Sequence, residues 1–212
     1  MVVAMSLPAQ VLSVVLCFLA VPVSAQELTD AQILQRFEAQ RDMYRTTLSG
    51  QKTRGLDMIV VPPDPAAPAA AAEAETIRSE ATLAGTTQDT GGTVVFAQFA
   101  PELQVNVAIR FAFDSASIAP DQRPALERMC SLMRQSDVGL FRIVGHTDAK
   151  GSDSYNENLS RLRAEEVRRW LIRDCGIAET RLQALGMGRR FLANPVDPAA
   201  AENRRVEFQA LS

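Results

Sequence analysis

GHTDAKGSDSYNENLSRLRA, residues 145–164, joins the end of a short apolar run to a segment with helical periodicity. The chain turns at Gly151, and the periodicity predicts a helix over residues 156–174. An α-helix advances about 100° per residue, so its apolar positions fall on one face, made by Leu159, Val167, Trp170 and Leu171. Arg163 lies on that same face, which directs a guanidinium toward the protein interior.

A guanidinium that points inward is costly unless an acidic group meets it. Asp148, at the end of the preceding apolar run, is the candidate partner. A carboxylate and an inward arginine at the carboxyl edge of a strand–turn–helix unit form a polar ligand site. The alternative is an ion pair with only a structural role, and the spacing leaves both interpretations open.

Three motifs carry a family resemblance: GHTDxxG at residues 145–151, YNxxLSxxRAxxV at 155–167 and NRRVEF at 203–208. Their order and spacing resemble the OmpA-like peptidoglycan-binding domain over roughly residues 104–210. In that family the Asp of GHTD and the Arg of LSxxRA bind the diaminopimelate residue of the cell-wall stem peptide. The resemblance therefore implies that Asp148 and Arg163 bind this ligand, and that Asn156 and Arg204 line the pocket.

The remaining pattern predicts a layered α/β (α+β) fold. Residues 104–113 alternate strictly between apolar and polar side chains, as in a half-buried strand. A helix is predicted over 120–135, and further strands over 140–146, 181–185 and 205–210. The order βαβαββ predicts a two-layer sandwich with a mixed sheet and both helices on one face.

A second acidic residue is expected at the site. Asp114 follows the first strand as Asp148 follows the second, so both carboxylates share an edge if the two strands are parallel neighbours. Two acids and an arginine would then match a zwitterionic head group, such as that of diaminopimelate. Thr147 and Leu159 are expected to shape the walls. Two alternatives stay open: Asp114 as a turn residue and Asn156 as a helix cap.

The N-terminal half is predicted to hold other segments. Residues 1–25 are typical of an export signal, with an apolar core and Val-Ser-Ala before Gln26. Residues 26–61 form a helical segment that either packs on the domain or docks an outer-membrane or other envelope protein. Residues 62–92 are a Pro/Ala-rich and polar linker, and residues 93–212 are the binding domain.

Two cysteines would remain after removal of the signal, Cys130 and Cys175. Both lie in or next to predicted helices of an exported chain, where disulfides persist. A disulfide between them is therefore possible, and the alternative is two buried thiols.

The composition argues against several classes of function. The net charge is −3, from 22 basic and 25 acidic residues, and no basic stripe indicates a nucleic-acid partner. The only histidine, His146, has no recognisable nucleophile nearby and no partners for a metal site, so neither a metal nor another cofactor is expected. An arginine between two carboxylates also favours their ionised forms, which is wrong for a general acid.

The expected function is thus non-catalytic peptidoglycan binding that tethers the envelope to the wall. The protein is expected to be exported, to the periplasm or in association with the outer membrane of a Gram-negative envelope. The alternatives are a peptidoglycan hydrolase and a flagellar-stator-type wall-anchored protein, and the stator type would need a spanning helix with a buried carboxylate.

Overall fold

The computed structural model describes residues 28–61, 94–111 and 115–212. The segments predicted as export signal (1–25) and linker (62–92), and Asp114, lie outside these ranges. The helices are α1 (Asp30–Leu48), α2 (Arg123–Gln135) and α3 (Asp153–Arg173). The strands are β1 (Leu56–Val61), β2 (Val94–Phe99), β3 (Val105–Val107), β4 (Phe141–Gly145), β5 (Leu182–Gly186) and β6 (Val206–Ala210). In the described ranges no helix is long and apolar enough to cross a membrane.

A four-stranded mixed sheet with the order β3-β6-β4-β5 is the centre of the fold. Strand β6 runs antiparallel to both β3 and β4, whereas β4 and β5 are parallel. One apolar core joins this sheet to α2 and α3, through side chains such as Phe141, Ile143, Phe208, Met133 and Val167. The predicted α+β fold with a mixed sheet is confirmed.

The first predicted strand differs from expectation in length and in neighbours. Regular pairing covers only Val105–Val107, and Phe111 makes an isolated bridge with Ile118. Strand β6 lies between β3 and β4, so the first two strands are not neighbours, and the condition under which Asp114 and Asp148 would share an edge is not met in that form. Alternation predicts which side chains of a strand are buried, but it does not specify the partner strand. The C-terminal strand takes the central place, which brings its first residues to the edge where β4 ends.

Helix α1 packs on the core rather than standing apart from it. Its N-cap Thr29 forms a capping box with Gln32. Phe37 is fully buried and meets Phe141 edge to face, with ring centroids 5.1 Å apart. Gln40 is also fully buried: its Nε2 donates to the Leu103 carbonyl at 2.7 Å, and its Oε1 accepts from the Ala210 backbone N–H at 2.8 Å. The N-terminal helix is therefore part of the same folded unit.

Strands β1 and β2 pair antiparallel and cover the second face of the sheet. Three backbone carbonyls of β2 accept hydrogen bonds from side chains of the main sheet or next to it. The Val95 carbonyl accepts from Arg142 at 2.8 Å, that of Ala97 from Gln209 at 2.6 Å, and that of Phe99 from Gln104, the residue before β3, at 2.8 Å. We call the polar side chains buried on this face the polar layer; they are Arg142, His146, Arg205, Glu207 and Gln209. The fold thus has a partial third layer that the two-layer prediction lacks.

A disulfide links Cys130 of α2 to Cys175, which follows the end of α3. The two Cα atoms are 6.0 Å apart, within the usual range for this bond. The bond ties the interior of α2 to the residues just beyond the C-terminal end of α3.

Candidate functional site

The segment that follows β4 is held on both sides by backbone hydrogen bonds. The His146 N–H donates to the Arg205 carbonyl at 3.0 Å, and the Thr147 N–H donates to the Gly188 carbonyl at 2.9 Å. His146, Thr147 and Asp148 are all buried. Asp148 is thus presented from a segment whose backbone continues the ladder of the sheet.

Helix α3 lies directly on the ends of β4 and β5 because two glycines leave room for it. A Cβ atom on Gly145 would lie 2.1 Å from the Ser160 carbonyl oxygen, and one on Gly186 would lie 2.6 Å from the Arg161 backbone nitrogen. No ordinary side chain fits at such distances. This close packing places Arg163, less than one turn beyond Ser160, next to the end of β4.

The start of α3 corrects the interpretation of Asn156 as a cap. The helix begins at Asp153, and its cap is Ser152, whose Oγ accepts from the Tyr155 N–H at 3.2 Å. Asn156 lies in the first turn, is buried, and donates from Nδ2 to the Lys150 carbonyl at 2.8 Å. Its side chain therefore fixes the turn that carries Asp148.

Asp148 is paired with Arg204, not with Arg163. Its Oδ2 accepts from Arg204 Nη1 at 2.6 Å, and its Oδ1 accepts from the Lys150 N–H at 3.1 Å. No ion pair between Asp148 and Arg163 occurs among the described residues. The expected pairing was wrong because β6 runs antiparallel beside β4, so the residues just before β6 meet the residues just after β4.

Arg163 is buried, as the periodicity of α3 predicts. Its Nε donates to the Ser115 carbonyl at 3.2 Å, and its guanidinium carbon lies 4.8 Å from the centre of the Phe111 ring. Burial lowers the pKa of the Arg163 guanidinium, whereas Tyr155 and, more weakly, Asp148 act to raise that pKa. The inward guanidinium is thus stabilised by a ring and a carbonyl rather than by the carboxylate first expected.

The remaining predicted positions surround this pair. Thr147 is only 3% exposed, and its hydroxyl has no partner in the described part of the chain. Leu159 is partly buried on the same helix as Arg163. Asp114 lies outside the described residues, so its expected role remains a prediction. Such an arrangement places one carboxylate, two guanidiniums and an unpaired hydroxyl along a single edge of the sheet.

Residues 110–207, which hold all of these positions, match the model of the OmpA family. The chain contains an OmpA-like domain. Helix α1 and strands β1, β2 and β3 lie outside the matched residues.

Two curated relatives and one solved structure show how far the similarity of the OmpA-like domain extends. Outer membrane porin F of Pseudomonas fluorescens is 34% identical over 113 residues, which are 52% of this chain and 34% of that protein. Outer-membrane lipoprotein YfiB of Pseudomonas aeruginosa is 31% identical over 107 residues, 50% of this chain and 63% of that protein. The crystal structure of the peptidoglycan-associated lipoprotein from Burkholderia pseudomallei is 25% identical, covers 52% of this chain and 92% of that chain, and has a TM-score of 0.42. The chain spans about a third of the porin and less than two thirds of YfiB.

His146 of the OmpA-like domain belongs to the polar layer. Its Nε2 lies 3.3 Å from Glu207 Oε2, and both side chains are almost completely buried. Burial lowers the pKa of His146, while the hydrogen bond to Glu207 acts in the opposite direction. These contacts support a structural role for this histidine.

Several groups that build the site were not predicted from the sequence. The Ser115 carbonyl and the Lys150 N–H are backbone groups, which no residue pattern reveals. Ser160 carries a usable signal, because buried Asn156, Ser160 and Arg163 recur at spacings of four and three along α3. That spacing marks a polar stripe facing the sheet.

Proposed function

We propose that the OmpA-like domain binds cell-wall peptidoglycan, without cleaving it, through the diaminopimelate residue of the stem peptide. The observation that carries the proposal is the placement of buried Asp148 and buried Arg163 at one edge of the sheet. The free end of diaminopimelate has an ammonium and a carboxylate. A carboxylate and a guanidinium of the protein are the complementary groups.

The unused hydrogen-bonding capacity of Arg163 supports this ligand. Only its Nε has a hydrogen-bond partner in the described part of the chain, the Ser115 carbonyl. The terminal nitrogens are the pair that binds a carboxylate in a bidentate manner. A ligand carboxylate bound in this way would form charge-assisted hydrogen bonds next to a largely buried side chain, and it would thereby stabilise the site. The Thr147 hydroxyl offers a further donor or acceptor.

The proposal places the protein in the envelope of a Gram-negative cell, where it would tether the envelope to the wall. The names of the relatives, an outer membrane porin and an outer-membrane lipoprotein, support this location. In a hydrolase, Asp148 would have to act as an acid or a base. Its ion pair with Arg204 and its hydrogen bond from Lys150 instead suit a fixed, charged acceptor.

Cosedimentation with purified peptidoglycan sacculi tests the proposal. Wild type is expected in the pellet, and Asp148→Ala and Arg163→Ala in the supernatant. Arg190→Ala is the matched control, because Arg190 makes a surface ion pair with Glu157 at 3.0 Å. Wild type that stays in the supernatant would refute wall binding. Release of soluble muropeptides by wild type would instead support the hydrolase.

A further inference from the structure

The carboxylate proposed to bind the ligand ammonium already has a cationic partner. Arg204 Nη1 lies 2.6 Å from Asp148 Oδ2, where the side chain of Asp148 is only 11% exposed and that of Arg204 is 44% exposed. Arg204 is therefore the more exposed partner of this pair. A ligand ammonium that approaches Asp148 Oδ2 competes with this guanidinium for the same oxygen.

Three charged side chains lie at this edge in the described part of the chain. Arg163 and Arg204 supply two guanidiniums, and Asp148 supplies one carboxylate. Burial is the main cause that lowers the pKa of Arg163, and repulsion from Arg204 lowers this pKa further. An incoming anion would relieve this repulsion, while a second cation would increase it.

The two arginines differ in their freedom to move. Arg163 is 7% exposed and is fixed by the Phe111 ring and the Ser115 carbonyl. For Arg204, by contrast, Asp148 is the side-chain partner seen in the described residues, and almost half of its side chain is in solvent. An ion pair with a partly exposed partner contributes little to stability, so its exchange costs little.

We propose that Arg204 exchanges partners when the ligand binds: it releases Asp148 to the ligand ammonium and joins Arg163 on the ligand carboxylate. Arg204 then determines specificity. It selects stem peptides whose side chain ends in both an amine and a carboxylate over peptides that carry only the amine. The inference rests on the proposed function, because it assigns the selection step to the same site.

A peptide with lysine in place of diaminopimelate shows why selection would follow. Its ammonium could displace Arg204 from Asp148, but it brings no carboxylate. The two guanidiniums would then face one another without an anion, and binding would weaken.

Calorimetry with three synthetic stem peptides tests the inference: the diaminopimelate form, its form with the terminal carboxylate amidated, and the lysine form. Wild type is expected to prefer the first over the other two by at least about tenfold, as expected for loss of one charged hydrogen bond. In Arg204→Gln the preference should fall to within about threefold, because the diaminopimelate peptide loses a partner while Asp148 becomes free for any ammonium. Arg204→Lys keeps the positive charge and should retain part of the preference. Arg190→Gln removes the same charge from a surface pair of similar exposure and should leave the preference unchanged.

The outcomes separate the two proposals. Wild type that binds none of the peptides refutes the proposed function. If wild type prefers the diaminopimelate peptide and Arg204→Gln shows the same preference, only the exchange is refuted. Arg204 is then a structural partner of Asp148. If Arg204→Gln does not fold, Arg204→Lys decides: a preference as large as that of wild type overturns the exchange, because lysine cannot form the paired hydrogen bonds that a guanidinium makes to a carboxylate.

Discussion

Ser160 on α3 accepts a hydrogen bond from the Gly188 backbone N–H at 2.9 Å. The carbonyl of the same glycine accepts from the Thr147 N–H at 2.9 Å. The helix that carries Arg163 is therefore connected, through the single residue Gly188, to the segment that carries Asp148. This connection sets the spacing between the two charged side chains.

Ser160→Ala is expected to weaken peptide binding without unfolding the protein. The variant leaves the buried Gly188 N–H without an acceptor, which costs about 1–3 kcal/mol. Chemical denaturation and calorimetry with the diaminopimelate peptide measure the two effects. Ser131→Ala, at an exposed position on α2, is the control and should change neither quantity. Unchanged binding in Ser160→Ala would show that this connection does not position the site.

Asp148→Ala and Arg163→Ala should each lose peptide affinity by roughly thirtyfold or more. A lost charged hydrogen bond in a partly desolvated site costs about 2–5 kcal/mol, including the group left unpaired. The measurements are peptide affinity and melting temperature for both variants and for the double variant. A purely structural role predicts the opposite pattern, a lower melting temperature with affinity retained by the folded fraction.

His146 is expected to make stability fall as the pH becomes acidic. Burial lowers its pKa in the folded state, so below about pH 6.5 the unfolded chain binds a proton that the folded chain does not. The free energy of unfolding is therefore highest above about pH 6.5 and declines as the pH falls toward the lowered pKa. Urea unfolding at several pH values measures this decline. Because this is the only histidine, His146→Gln should remove that part of the pH dependence, and an identical slope in the variant would contradict the assignment.

Phe37→Ala tests whether α1 is part of the folded core, which is one of the two roles that the sequence left open for residues 26–61. Phe37 is fully buried against Phe141, so truncation should cost about 3–5 kcal/mol of stability. Val60→Ala, with a side chain 64% exposed, should change stability by less than about 0.5 kcal/mol. Equal effects of the two substitutions in denaturant titrations would show that α1 is not part of the core.

The pair Cys130 and Cys175 should be oxidised in protein recovered from an oxidising compartment. Mass spectrometry after alkylation without reductant should find no modified cysteine at either position. Reduction should lower stability by about 2–4 kcal/mol, since the bond closes a long loop. Two alkylated thiols in the unreduced sample would show that the bond does not form in the exported protein.

The sequence specified the elements whose signals are local. Periodicity in α3 predicted that Arg163 points inward, and the apolar run before Gly145 predicted β4. The start of α3 was missed by three residues, because Asn156 and Ser152 are both acceptable caps by residue type. Only the conformation around Ser152 distinguishes them.

Only the tertiary structure decided which groups meet. Strand β6 lies between β3 and β4, and this single non-local choice gives Asp148 the partner Arg204 instead of Arg163. The antiparallel pair of β1 and β2 likewise covers Arg142 and Glu207, two charged side chains whose burial no local pattern of residues predicts. Periodicity follows from the geometry of one helix or strand, so the chain carries it locally. Strand order and cross-sheet contacts depend on the packing of distant segments, and no single stretch of residues encodes them.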